Sequence, residues 1–210
     1  RVKVSLYDKD KLLYTEKQTT DGLKRSFGKT ELSFQALFPQ VKAWSAEIPY
    51  LYRLQVTLYD AQGKVKEVVS RFVGFRTIEI KGSDILVNGK RVFFKGVNRH
   101  ETDPQTGQVV SRESMEKDLM LMKALNFNAV RTSHYPNDPY FYYLCNKYGI
   151  YLESEANIES HEYFYGKASL SHVPEFQAAH VDRVMAMTHQ LVNQPSIVIW
   201  SLGNEAGPGH

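Results

Sequence analysis

The sequence predicts two folds in succession: an immunoglobulin-like β-sandwich at residues 1–77, then about four βα units of a (β/α)8 TIM barrel at 78–210. Three observations lead to this prediction. The first stretch alternates apolar and polar residues with a period of two, whereas the second alternates strand-like runs with helical patterns. In the second stretch, polar side chains follow each strand, as they do at the mouth of a barrel.

The composition is that of an ordinary globular protein, with 42% hydrophobic and 23% charged residues in a chain of 210. The net charge is +3, but Lys and Arg are scattered, so we expect no nucleic-acid partner. The sequence has no apolar run of membrane-spanning length and no signal peptide, so we expect no membrane partner. Cys145 is the only cysteine, which excludes an intrachain disulfide. Cytoplasmic and periplasmic locations both stay open.

The sandwich prediction depends on short strands in the first stretch. Apolar residues alternate within 2–6 and again within 54–58, and polar turns follow at 8–11 and 60–64. Several short strands with regular turns and no helical period are typical of an antiparallel sandwich. No set of catalytic residue types gathers here, which favours a structural module.

The barrel prediction depends on alternating strands and helices in the second stretch. Strand-like runs lie at 92–98, 128–134, 150–157 and 197–204, and helical patterns begin at Ser111, Pro139 and Pro174. Near-continuously apolar strands separated by helices indicate a parallel sheet. No glycine-rich phosphate turn follows the first strand, which weighs against a nucleotide-binding open sheet. A typical barrel needs about 250 residues, so this stretch accounts for about half of one.

The predicted strand ends carry reactive side chains. They are Asn98, Arg99, His100 and Glu101 at the end of the first strand, Arg131 and His134 at the end of the second, Asn157, Glu159 and His161 at the end of the third, and Asn204 and Glu205 at the end of the fourth. In a barrel, the carboxyl ends of all strands open into one mouth, which is where barrel enzymes place their active sites.

Glu205 is the strongest candidate for a catalytic acid. It follows a buried strand that contains Trp200, so we expect it to lie partly desolvated. Desolvation raises the pKa of a carboxyl group, and a general acid needs a proton near neutral pH. The neighbouring amide of Asn204 is able to donate to and accept from hydroxyl groups. The alternative is that this common dipeptide has no catalytic role.

The stretch EANIESH at 155–161 suggests a metal site. Glu159 and His161 alternate along a loop, and Glu205 is a possible third ligand. Carboxylate-rich sites suit Mg²⁺ or Mn²⁺, although His is a less usual ligand for Mg²⁺. The same spacing also fits an exposed loop without metal.

Other polar residues have a functional and a structural interpretation. His100 and His134 lie at strand ends with arginines nearby, which favours binding of a polyol over a buried structural role. Alternation places Glu153 and Glu155 on the same strand face, so that one of them supports the site. The tyrosines at 163 and 165 either line a sugar subsite or pack on the surface.

At these strand ends the sequence closely resembles glycoside hydrolase family 2 and, within it, the β-galactosidases. The motifs RTSHYP (131–136) and IVIWSLGNE (197–205) are specific to the family, and GVNRHE (96–101) with EANIESH favours galactosidases. The resemblance also covers residues 44–64 and 73–80, which look like the end of the central sandwich domain of the family.

The resemblance implies retaining hydrolysis of terminal β-D-galactose, with Glu205 as acid/base. It implies that Asn204 binds the 2-hydroxyl of the sugar, that His100 and His134 contact galactose and the transition state, that Arg131 supports the mouth, and that Glu159, His161 and Glu205 hold Mg²⁺. Two departures stand out. Glu162 occupies a position where related enzymes usually have glycine, and the nucleophilic Glu of the seventh strand lies beyond residue 210.

The sequence therefore predicts an internal fragment of a β-galactosidase that is inactive alone. We expect the fragment to associate with itself or with the remaining chain. We also expect the protein to be a homo-oligomer. A β-glucuronidase or another family 2 glycosidase is one alternative. A second alternative, from a different class, is a carbohydrate-binding or scaffold module without turnover. A Glu at the predicted end of the seventh strand separates the enzyme from the module, because retaining glycosidases need two carboxylates.

Overall fold

The structure, a computed structural model, describes residues 1–21, 28–161 and 169–207. The chain divides into two compact units. The first contains Arg1–Ala43 and Tyr50–Phe75, and the second contains everything from Arg76 onward. The short segment Trp44–Pro49 also belongs to the second unit, which the strand pattern of the sequence does not indicate.

The first unit contains a four-stranded antiparallel sheet in the order β2-β1-β3-β4. Its strands are β1 (Val2–Asp8), β2 (Lys11–Gln18), β3 (Tyr52–Tyr59) and β4 (Val65–Val73). Leu6 stands opposite Leu54 across the β1–β3 ladder, so the alternating apolar residues share one face. The predicted turn at 60–64 is confirmed by Asp60, whose Oδ1 accepts a hydrogen bond of 2.8 Å from the Lys64 amide.

The second unit begins with a small antiparallel sheet of strands β5, β6 and β7. They span Ile78–Lys81, Asp84–Val87 and Lys90–Arg91. Asn88 and Gly89 have positive φ angles of 52° and 73°, as a two-residue hairpin turn requires. These strands do not show in the sequence pattern, because strands of two to four residues are too short to show a period.

A four-stranded parallel sheet follows, in the order β11-β10-β9-β8. Its strands are β8 (Gly96–Arg99), β9 (Ala129–Thr132), β10 (Tyr151–Glu155) and β11 (Ile197–Ser201). The connections contain the helices α1 (Arg112–Ala124), α2 (Pro139–Tyr148) and α3 (Pro174–Leu191). Each strand lies beside its neighbour in sequence, whereas a doubly wound sheet reverses its order at a switch point. The order is therefore that of a barrel.

The predicted helix starts at Ser111, Pro139 and Pro174 are confirmed. Ser111 caps α1, and its Oγ accepts a hydrogen bond of 3.1 Å from the Ser114 amide. Asp138 caps α2 in the same way, accepting from the Tyr140 amide at 2.7 Å. This helix ends at Gly149, whose left-handed conformation (φ 75°) terminates it. None of the helices in the described ranges is long and apolar enough to cross a membrane.

One apolar cluster packs the helices against the parallel sheet. Its fully buried members include Leu119, Phe141, Leu144, Cys145, Ile150 and Leu152. Burial raises the pKa of the Cys145 thiol far above its usual range, because the thiolate is strongly disfavoured in an apolar core. The cluster gives the strand ends a rigid base.

The segment Trp44–Pro49 packs near the start of β10. The Trp44 ring is fully buried, and its Nε1 donates a hydrogen bond of 2.8 Å to the Asn146 carbonyl. Gly149 lies so close to this segment that a Cβ at its position would stand 2.1 Å from the Ala46 carbonyl oxygen. Glycine is therefore required at residue 149 both for its φ angle and for this close approach.

Candidate active site

Glu155 lies at the end of β10, at the centre of the candidate site. Its side chain is completely buried. The Arg131 Nε and Nη2 atoms lie 2.7 and 2.6 Å from its Oε2. The Ser201 hydroxyl donates to the same oxygen at 2.7 Å, and His134 Nδ1 lies 2.7 Å from Oε1. Buried carboxylates are stable only when they are paired and hydrogen-bonded, and both Glu155 oxygens meet this condition.

The strand register explains why these partners meet. Glu153 of β10 stands opposite Arg131 of β9, and Glu155 stands opposite Ser201 of β11. Because the two neighbouring strands are parallel to β10, their ends reach the same edge of the sheet. The sequence placed Glu153 and Glu155 on one face, and the structure shows that Glu155 is the one that joins the strand ends.

The contact with Glu155 determines the tautomer of His134. A carboxylate accepts hydrogen bonds and does not donate them, so the imidazole Nδ1 carries the proton that it donates to Glu155. Arg131 Nη2 lies 3.3 Å from the same nitrogen, but a guanidinium also only donates, so this longer contact is not a hydrogen bond in that tautomer. In the neutral ring, Nε2 is then the acceptor. Ser133 and His134 are joined by a cis peptide bond.

Asn204 follows β11, and its amide group is held from both sides. Oδ1 accepts from Arg131 Nη2 at 2.8 Å, and Nδ2 donates to Glu159 Oε2 at 2.7 Å. Arginine has only donors and a carboxylate only acceptors, so these two partners fix which way the amide points. One N–H and one lone pair of the amide remain for a ligand.

The backbone of Asn204 is held as well. Its amide donates to the Ile158 carbonyl at 2.9 Å, within an isolated parallel bridge between Asn204 and Glu159. Gly203 lies beside Ile158 with a φ of 146°. A Cβ at residue 203 would stand 2.6 Å from the Ile158 carbonyl oxygen, so glycine is required there.

Glu205 lies next to Asn204 in the left-handed conformation, with a φ of 44°. Such a φ is uncommon for a residue with a side chain and turns the chain sharply after β11. The Glu205 side chain is 41% exposed, and its Oε2 contacts Nδ1 of His161. Glu205 is therefore more exposed than the partial desolvation expected from the sequence, and β11, which precedes it, is an edge strand of the sheet.

The proposed metal ligands lie close to one another in pairs. Glu159 Oε1 accepts from the His161 amide at 3.2 Å, and His161 contacts Glu205. Within residues 1–21, 28–161 and 169–207, however, no three His, Cys, Asp or Glu side chains are placed to bind one ion. Glu159 is instead hydrogen-bonded to Asn204. In this arrangement Glu159, His161 and Glu205 do not converge on one ion, and the Mg²⁺ site stays a prediction.

His100 and His134, the two predicted substrate-binding histidines, lie close together. Their rings meet edge to face with centroids 5.2 Å apart. His134 is joined through Glu155 and Arg131 to Asn204. The structure therefore brings the four predicted substrate-binding residues to one edge of the parallel sheet.

Arg99 and Glu101, which the sequence placed at the mouth, are buried in a separate network. Arg99 donates to Asn137 Oδ1 at 2.7 Å and to Asp118 Oδ2 at 2.9 Å. Glu101 Oε2 accepts from the Asp138 amide at 2.6 Å. These contacts hold the loop after β9 against α1. The alternation of side chains along a strand is the sequence signal that could have predicted this burial, because residues 99 and 101 point away from residues 98 and 100.

Three residues discussed from the sequence lie outside the described residues: Glu162, Tyr163 and Tyr165.

A parallel sheet in barrel order, with carboxylate, imidazole and amide groups at its strand ends, is the arrangement of a barrel enzyme. Two family models match the chain. "Glycosyl hydrolases family 2" matches residues 1–76, and "Glycosyl hydrolases family 2, TIM barrel domain" matches residues 78–210. The chain belongs to glycoside hydrolase family 2.

Curated relatives are similar over most of the chain. A β-galactosidase of Pectobacterium atrosepticum is 50% identical over 79% of this chain and 16% of its own length. Those of Alteromonas mediterranea and Vibrio cholerae are 43% and 41% identical over the whole chain, which covers 20% and 21% of their lengths. The chain thus spans about a fifth of the curated relatives it matches.

Solved structures share the fold. β-Glucuronidase from Ruminococcus gnavus in complex with C6-substituted uronic isofagomine superposes with a TM-score of 0.77 at 26% identity, over 97% of this chain and 32% of that one. The apo structure of the same enzyme gives 0.76 at 26% identity over 96% and 32%. The predicted fold, an immunoglobulin-like sandwich followed by part of a TIM barrel, is confirmed.

Proposed function

We propose that this chain supplies the acid/base side of the active site in a retaining β-galactosidase. The observation that carries the proposal is the fixed Asn204 amide next to Glu205, at the end of the fourth strand of a barrel-ordered sheet. The relatives at 41–50% identity, all β-galactosidases by name, support galactose as the sugar.

Glu205 acts as the acid/base in this proposal. It protonates the glycosidic oxygen of the leaving group, and in the second step it takes a proton from water. Its partly exposed carboxyl is accessible to a sugar entering from the edge of the sheet. Because the backbone turns sharply at Glu205, where φ is 44°, its side chain does not continue the alternation of side chains along β11.

Asn204 recognises the 2-hydroxyl of the sugar. Its remaining N–H and lone pair match a hydroxyl group, which both donates and accepts. Hydrogen bonds to the 2-hydroxyl strengthen in the oxocarbenium-like transition state and supply part of the rate enhancement of glycosidases. Holding the amide in advance means that no reorganisation is needed when the transition state forms.

The nucleophile is proposed to lie on another part of the polypeptide. A retaining glycosidase places its second carboxylate about 5–5.5 Å from the acid/base. By resemblance, it is a Glu at the end of the seventh barrel strand. The coding sequence after His210 tests this directly, since a non-catalytic module has no need of that residue.

The magnesium requirement stays a prediction from the resemblance. Its test is the complete polypeptide dialysed against EDTA and then titrated with Mg²⁺. Loss of activity that Mg²⁺ restores supports the prediction, and unchanged activity after dialysis contradicts it.

The substrate is tested with a matched pair of aryl glycosides. The complete polypeptide that carries this chain is assayed with 4-nitrophenyl β-D-galactoside and 4-nitrophenyl β-D-glucuronide, which share one leaving group. We expect kcat/KM to be at least about 100-fold higher for the galactoside, because a site built to bond one hydroxyl pattern rejects another. A preference for the glucuronide would instead establish the function named in the similar solved structures.

A further inference from the structure

We propose that Glu155 is the positioning residue of this site: its buried carboxylate holds Arg131 and His134, and through Arg131 it sets the Asn204 amide that faces the sugar. Glu155 itself does not touch the substrate. The catalytic effect of this positioning rests on the proposed function, whereas the positioning itself rests on the hydrogen bonds of Glu155.

The first argument is burial. Glu155 is completely buried, whereas Glu153, two residues earlier on the same strand face, is 34% exposed and lies 3.9 Å from Arg131. A buried carboxylate is costly to keep unless its partners are fixed, so Glu155 and its donors stabilise one another's positions. Glu153 interacts with Arg131 only through a long contact that solvent screens.

The second argument is that Glu155 joins three strand ends. It bonds Arg131 of β9 and Ser201 of β11, and its own amide donates to Thr132 Oγ1 at 3.2 Å. Arginine presents its donors in a rigid planar fork. With Nε held by Glu155, Nη2 is directed at Asn204 Oδ1 at 2.8 Å.

The third argument is the choice of tautomer. The bond from Nδ1 to Glu155 makes Nε2 of His134 the acceptor in the neutral ring. One carboxylate thus determines the orientation of two groups that the resemblance assigns to sugar binding, His134 and Asn204. Loss of the carboxylate should release both groups together, without removing either from the chain.

The test compares Glu155→Gln with the matched control Glu153→Gln in the complete polypeptide. Gln keeps the shape of Glu155 but replaces one acceptor oxygen by a donor, which opposes Arg131 or His134. Ser201→Ala is a milder second variant, since it removes one 2.7 Å bond to Glu155 and leaves the charges in place. Thermal unfolding of each variant measures how much of any loss of activity is due to a loss of stability.

The kinetic readout is the ratio of kcat/KM for an aryl β-galactoside to kcat/KM for its 2-deoxy analogue. For Glu155→Gln we expect this kcat/KM ratio to fall about tenfold, the equivalent of one hydrogen bond in the transition state, and for Ser201→Ala to fall less. Glu153→Gln should leave the ratio unchanged. A merely structural role would lower both rates equally, so an unchanged ratio in Glu155→Gln overturns the proposal.

The second readout does not need activity. In a crystal structure of Glu155→Gln, we expect either the 2.8 Å contact between Arg131 and Asn204 to be broken or the His134 ring to be displaced, depending on which partner the new NH2 group faces. Unmoved Arg131, His134 and Asn204 side chains overturn the positioning role. A wild-type polypeptide without β-galactosidase turnover would refute the proposed function alone, because the crystal structure would still decide what Glu155 does.

Discussion

Arg131 is the side chain on which the candidate site depends most at the scale of single residues. It donates to Glu155 with Nε and to Asn204 with Nη2, at 2.7 and 2.8 Å. A point charge of the same sign is unable to replace this geometry, because a lysine ammonium does not present a planar fork of donors. The chemistry of the guanidinium, beyond its charge, connects the buried carboxylate to the amide that faces the sugar.

Arg131→Lys should therefore lower activity although it conserves charge. In the complete polypeptide we expect kcat/KM on an aryl β-galactoside to fall by about tenfold or more, since at least one of the two bonds is lost. The control is Arg71→Lys, because Arg71 is exposed and its side chain donates a hydrogen bond to the neighbouring Ser70 carbonyl. Equal activity of Arg131→Lys and wild type would show that the fork geometry is not needed.

At the scale of elements, Gly203 is the position that lets β11 end beside the loop after β10. Its φ of 146° and the 2.6 Å approach to the Ile158 carbonyl both exclude a side chain. The hydrogen bond from the Asn204 amide to Ile158 depends on the same approach. The close contact of two backbones thus places Asn204 and Glu205.

Gly203→Ala should destabilise the second unit by about 1–3 kcal/mol, the usual cost of a strained backbone position. The comparison variant is Gly82→Ala, which has a φ of 62° but open space around it. Chemical denaturation of both variants measures the difference. If Gly203→Ala costs no more than Gly82→Ala, the approach to Ile158 is not a constraint.

The elements themselves were largely predictable from the sequence. Periodicity located the three helices and the four parallel strands, because a buried strand or an amphipathic helix leaves a regular apolar pattern. Which of Glu153 and Glu155 supports the site was not predictable, since it depends on the register that sets Glu155 opposite Ser201. The packing of Trp44–Pro49 in the second unit was not predictable from the sequence either, because a short irregular segment has no period.

The candidate site, too, was predictable in part. His100, Arg131, His134, Asn204 and Glu205 were predictable because each lies at the end of a recognisable strand. Which of them touch, and through which oxygen, follows from side-chain geometry that a sequence does not encode locally. The exposure of Glu205 is a related case, because it depends on what covers the edge strand β11.

At the scale of the whole molecule, the chain presents an open parallel sheet. Among the strands that the structure describes, β8 and β11 each pair on one side only. Leu202, Val181 and Met185 are 70%, 57% and 47% exposed near the edge that β11 forms. Unpaired strand edges and exposed apolar side chains favour association with other chains.

We therefore predict that the 210-residue chain, purified alone, self-associates and does not hydrolyse an aryl β-galactoside. Light scattering should give a mass above the 24.1 kDa of one chain. The absence of turnover follows from the proposal that the nucleophile lies elsewhere. A stable 24.1 kDa monomer at high concentration contradicts the first part, and measurable turnover contradicts the second.

The most direct test of the central claim, that Glu205 is the acid/base, is the dependence of Glu205→Gln on the leaving group. The complete polypeptide is assayed with a series of aryl β-galactosides whose phenols differ in pKa. General acid catalysis contributes about 10²–10⁴-fold, so we predict a loss of that order for poor leaving groups and little loss for activated ones. An equal loss across the whole series would contradict the claim.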